Sequence, residues 1–159
     1  MSVGTRSVAP VEIMQRIAEA VDVGRQGSVE VGRERLEALW AELSAAADPV
    51  PRCVVAHHLA DLHEQVEDEL AWDRRALDAA LVVLEADPES RVGEVDVRAF
   101  LPSLHLNVAD ACHRLGDPAG VREHLTQARA HLELLADDGY GRMIRGGVDR
   151  LEAVVTPPV

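Results

Sequence analysis

An all-α fold, a right-handed stack of antiparallel helix hairpins with about seven helices, is predicted by three features of the 159-residue sequence. Apolar residues recur every three or four positions along most of the chain, and alternation of period two is found nowhere. Glycine, proline and aspartate interrupt this pattern at intervals that suit short helices. Aromatic residues make up only 3% of a chain that is 47% hydrophobic, so Ala, Leu and Val must fill the core, which favours closely packed helices over a sheet sandwich. The length suits one domain with a sizeable core, expected over 9–154 between tails at 1–8 and 155–159.

The stretch from Leu104 to Ala130 is the clearest unit. Leu104, Val108, Ala111, Cys112 and Leu115 recur at helical spacing, and Gly116 suits the left-handed position that ends a helix. Asp117 can cap a second helix, with Pro118 at its first position, where a missing N–H is harmless. Val121, Leu125, Ala128 and Leu132 give that second helix its apolar stripe.

This stretch resembles a tetratricopeptide repeat, a helix–turn–helix unit of about 34 residues. With Gly116 as the turn glycine, Asn107 and Val108 fall on the family's Asn-Leu pair and Ala109 and Ala111 on its small residues. Cys112 falls on its Tyr, Leu125 on the large residue of the second helix, and Ala128 on the small residue one turn later. His105 stands where Trp is usual, Val121 where Ala is usual, and the closing Pro is missing.

Two further hairpins precede the clearest one. Pro10 to Arg25 carries Ile13, Ile17, Ala20 and Val21 at helical spacing, and Gly24 and Gly27 bracket a turn. Ser28 is placed to cap a helix predicted over Val29 to Ala46, with Leu36, Leu39, Trp40 and Leu43 inward. Asp48-Pro49-Val50-Pro51 opens a helix predicted to run through Gln65, and a partner is predicted over Asp68 to Glu85 with Leu70, Leu77, Leu81 and Leu84 on one stripe. His58-Leu59-Ala60-Asp61 echoes Asn107-Val108-Ala109-Asp110. Arg91 to Ala99 reads as a loop or a short helical turn, and Pro102 places the next helix start near Leu101. Asp137-Asp138-Gly139 marks a turn before a final helix over Tyr140 to Val154, with Met143, Ile144, Val148 and Leu151 inward and no partner of its own. Gly146-Gly147 in that helix suits a close helix–helix contact.

Charge narrows the function classes. A net charge of −12 gives a well-solvated surface with no basic stripe, which disfavours nucleic acid and favours basic partners. No apolar run approaches the ~20 residues that span a bilayer, so no membrane partner is expected. The N-terminus lacks a charged-then-apolar signal pattern, and Cys53 and Cys112 stand alone, outside any C-x-x-C; a cytoplasmic chain with core cysteines is expected.

The resemblance implies that the first helix of each pair lines a concave groove receiving an extended peptide. The groove positions would be His57, His58, Asp61 and Glu64, then Asn107, Asp110, His113 and Arg114. Asp61 and Asp110 would repel a peptide carboxylate, so the partner expected is a protein or peptide, basic rather than acidic. The rival reading is a small-ligand, metal or catalytic site centred on His57, His58 and Asp61 with Asn107 and Asp110 opposite. The spacing is not H-E-x-x-H, no cysteine cluster supports a metal, and neither a G-x-S-x-G nor a phosphate-cradling glycine loop is present. A non-catalytic module without cofactor or metal is therefore the expectation. Trp72, about 200° round the helical wheel from Leu70, is placed against a neighbouring hairpin or in an exposed hot spot. Trp40 is placed in the core. Arg142, Arg145 and Arg150 give the last helix a basic edge through which copies of an acidic chain could associate.

Overall fold

A computed structural model describes residues 10–156 of the chain. The tail expected at 1–8, and all of the C-terminal tail but Val155 and Thr156, lie outside the described residues. The described residues form an all-α fold. Its helices are α1 (Pro10–Arg25), α2 (Val29–Glu42), α3 (Pro49–Asp61), α4 (Val66–Ala86), α5 (Leu101–Arg114), α6 (Pro118–Ala130) and α7 (Gly139–Val155). α1 packs on α2, α3 on α4 and α5 on α6 as three hairpins, and α7 lies against α5 and α6.

The hairpin turns follow the sequence signals. Gly27 and Gly116 adopt φ of 99° and 74°, where a Cβ would be strained. The Asp117 carboxylate accepts from the Gly120 N–H at 3.0 Å, and Asp138 does the same for Gly141 at 2.8 Å, so α6 and α7 begin on capped N–H groups. Ser28 sits at the start of α2 but its hydroxyl caps nothing. α2 stops at Glu42, not Ala46, because side chains take over its backbone groups. Asp48 Oδ2 accepts from the Ser44 N–H at 3.0 Å, and Ser44 Oγ accepts from the Ala47 N–H at 3.3 Å. α3 ends at Asp61, short of Gln65, in a tightened last turn where Leu62 and His63 donate to the carbonyls of Leu59 and Ala60.

One segment departs from the all-helical expectation. Arg91–Val92 (β1) and Val95–Asp96 (β2) pair as an antiparallel ribbon, with Arg91 opposite Asp96 and Val92 opposite Val95. A 3-10 turn over Val97–Phe100 then leads into α5, its start capped by the Asp96 carboxylate accepting from the Arg98 N–H at 2.8 Å.

Two clusters make the core. Ile13, Ile17, Leu36, Leu39, Val55 and Leu59 form one, from α1, α2 and α3. The other joins α3 to α7 through residues such as Ala56, Leu77, Leu104, Val108, Leu125 and Val148. Trp40 and Trp72 join the two clusters, packed edge to face with centroids 5.2 Å apart. Trp40 is half-buried, not core, and the Arg52 guanidinium lies over its ring at 3.5 Å. Leu81, Leu115 and Met143, all expected inward, are exposed. On α4 the small Ala76 and Ala80 with Val83 take the inner stripe, which turns Leu81 outward. Gly147 meets α5 closely: a Cβ there would stand 2.7 Å from Leu106 Cδ2, the helix contact expected of the Gly-Gly pair.

Candidate functional site

α3 and α5 bring the predicted groove residues together. Apolar residues on their inner sides pack on α4 and α6, which leaves polar stripes free on the other side. The stripes meet where Asn107 Nδ2 lies 3.4 Å from His57 Nδ1. His57, not His58, makes the contact with Asn107. His58 is turned by about 100° from His57 on the helix, and it lines an apolar cavity instead.

Two cavities adjoin at the His57–Asn107 contact. Toward the C-terminal ends of α3 and α5 lies an acidic one of about 410 Å³. Asp61, Asn107, Asp110 and His113 line it. Toward the N-terminal ends lies a second, of about 330 Å³, lined by His57 and His58 together with Val54, Val83, Phe100 and Tyr140. Glu64 lines neither cavity and is exposed in the turn after α3. Arg114 lies at the acidic rim, where its guanidinium donates to Asp110 at 2.9 Å and also to Glu69. Seven of the eight predicted residues thus divide between an acidic cavity, an apolar cavity and the rim, and Glu64 lies outside all three.

The predicted groove set left out Glu69, Asp73, Gly147 and Arg150, which also line the acidic cavity. Asp73 is the most consequential. It is only 2% exposed, and its Oδ2 is buried without a hydrogen-bond partner. Burial first, then the neighbouring carboxylates of Glu69 and Asp61, push its pKa up to about 7, against the weaker pull of Arg114 and the nearby Asn107 amide. Its signal was present: Leu70, Asp73 and Leu77 recur at helical spacing, which sets a carboxylate on an apolar stripe.

The chemistry open to these groups is narrow. One ligand atom from each of His57, His58 and Asp61 lies within 4.8 Å of the other two, the only such metal-capable group among the described residues. Burial and the adjacent His57 hold the His58 ring below its ordinary pKa, in the neutral form that can ligate an ion. Cys53 and Ser103 line the same cavity as the two histidines. Burial pushes the Cys53 thiol up to about 12 and raises Cys112, and the Ser103 hydroxyl donates to the Phe100 carbonyl at 3.0 Å. Of the basic edge on α7, Arg142 pairs with Asp137, and Arg145 caps the carbonyls of Leu132, Leu135 and Ala136. Arg150 faces the acidic cavity. No helix among the described residues is long and apolar enough to cross a membrane. The chain matches no protein-family model, no curated protein and no solved structure.

Proposed function

We propose that this chain is a non-catalytic interaction module, tetratricopeptide-like in plan, whose acidic groove receives an extended basic segment of a partner protein. One observation carries the reading: Asp61, Asn107, Asp110 and His113, from corresponding faces of α3 and α5, converge on one cavity with Glu69 and Asp73. Neither Asp61 nor Asp73 forms an ion pair with a residue among those described, so both carboxylates are open to a ligand. The apolar cavity beyond His57 gives the same groove a place for an aliphatic side chain. Two buried free thiols fit a reducing compartment such as the cytoplasm.

The test is the double substitution Asp61→Asn with Asp110→Asn, which keeps shape and removes two charges. Binding of hexalysine should weaken, and its loss with added salt should become shallower, because exposed charges are screened over ~10 Å at 0.1 M. The thermal midpoint should barely change. Unchanged binding and salt dependence would remove the groove reading.

A second reading has its own observation in the proximity of His57, His58 and Asp61. Those residues would hold a divalent ion at the junction of the two cavities. Elemental analysis of purified protein should then find a stoichiometric metal that the His58→Ala variant lacks. Zinc-loaded wild type should also melt higher by linkage.

A further inference from the structure

The groove reading leaves open what the bound segment must carry. The acidic cavity has a floor as well as a rim, and the two differ chemically. At the rim, Asp110 and Glu69 already share Arg114. On the floor, Asp73 has no such partner, and a buried polar atom without a hydrogen bond is uncommon in a folded protein. Leaving a carboxylate in that condition is unfavourable unless something completes it.

We propose that the floor of this cavity receives one cationic side chain of the bound segment, the alkylammonium of a lysine, with the Asp73 carboxylate as its counter-ion. This rests on the groove reading and adds the chemistry of one subsite. Three features select a lysine. The Asp73 carboxylate is part of the cavity wall, and rotation about its soft χ2 presents either oxygen to a ligand. Oδ2 is a single fully buried oxygen without a partner, which suits the point charge of an ammonium better than the two-pronged fork of a guanidinium. Leu106, Leu151 and Val154 line the same cavity and offer apolar surface to a methylene stem. The remaining charges facing Asp73 are Asp61 from α3, Glu69 from α4, Asp110 and Arg114 from α5 and Arg150 from α7, with His113 beside them. Arg150 is the competing cation in the lining.

The experiment titrates the full chain with the peptide acetyl-Gly-Gly-Lys-Gly-Gly-amide, its Nε-acetyl-lysine counterpart, its arginine counterpart and hexalysine. The lysine peptide should bind at least about ten-fold more tightly than the Nε-acetyl peptide, and Asp73→Asn should erase that difference. Arg150→Gln should strengthen binding. In wild type, the carboxyl carbon resonance of Asp73 should move with the lysine peptide and stay still with the Nε-acetyl peptide, a measurement that stands even where Asp73→Asn fails to fold. An unmoved resonance overturns the inference, as does tighter binding of the arginine peptide or displacement of the lysine peptide by stoichiometric zinc or calcium. Hexalysine separates the two levels. Binding that responds to Asp61→Asn with Asp110→Asn but not to Asp73→Asn overturns the subsite and leaves the groove reading standing. No binding of hexalysine to wild type overturns both.

Discussion

His105 Nδ1 lies 2.9 Å from His124 Nδ1, so one ring donates and the other accepts across the packed faces of α5 and α6. His105 is only 7% exposed. Burial first, then the positive forms of His124 and His131, drive its pKa from 6.5 to about 4. A ring neutral in the fold but titrating normally when unfolded contributes stability that is complete above pH 6.5 and is lost as pH falls toward 4. Up to ~3 kcal/mol is involved. Denaturant melts across that window should show the loss, and His105→Gln, which keeps a hydrogen bond but does not titrate, should flatten it. An equally steep acid limb in the variant would place the sensitivity elsewhere.

The first hairpin depends on backbone proximity. A Cβ built on Gly32 would stand 2.8 Å from Gly24 Cα and 3.0 Å from the Ala20 carbonyl oxygen, neither of which can rotate away. Gly32→Ala should therefore force α1 and α2 apart and cost about 1–3 kcal/mol or more. A Cβ on Gly24 meets the Leu62 methyls, the nearer at 3.5 Å, and Gly32 Cα at 3.9 Å, all ordinary contacts, so Gly24→Ala should change stability by less than about 1 kcal/mol because helix propensity offsets any crowding. Equal effects in chemical denaturation would contradict this asymmetry.

The third hairpin depends on side-chain volume. Leu125 is 4% exposed and Ala128 fully buried, in one cluster with Val108 and Cys112 of α5. Leu125→Ala should lower unfolding free energy by about 2–5 kcal/mol. Ala128→Leu should overpack the same contact and lower it by about 1–3 kcal/mol. Neutral results for both would mean that α5 and α6 meet in another register.

The sequence disclosed the helices because each carries several turns of apolar periodicity, and it disclosed most turns because Gly27, Gly116, Asp117 and Asp138 have specific local roles. The ribbon of Arg91–Val92 and Val95–Asp96 was not legible, since two-residue strands are too short to show a period. The exposure of Leu81 and Met143 was not legible either, because inner stripes can be filled by alanine and glycine, whose weak hydrophobic signal the larger residues mask. At the site, the stripe carrying Asp61, Asn107 and Asp110 could be read from spacing on two similar segments. Asp73 could not be placed in that cavity by periodicity alone. Its surroundings come from α3, α5 and α7, and only their packing against α4 decides that a carboxylate on an apolar stripe faces a cavity and not the solvent.

Asp73 carries the last prediction, in which stability and binding move in opposite directions. Its pKa is raised from 3.8 to about 7, so its contribution to stability is complete below pH 3.8 and is lost as pH rises through about 7. Above that pH the fold holds a buried charge that the unfolded chain would keep in water. Asp73→Asn removes the charge while keeping the shape, and should leave the thermal midpoint little changed near about pH 4. Near about pH 8 the same substitution should stabilise the chain by ~1–4 kcal/mol. A carboxylate that is unfavourable for folding yet present on the floor of a cavity is what a site held for a ligand would contain. Melting wild type and variant across pH, with and without the lysine peptide, reads both effects. The peptide should raise the wild-type midpoint and leave the variant's unchanged. A variant less stable than wild type at every pH would instead make Asp73 a structural hydrogen-bonding group.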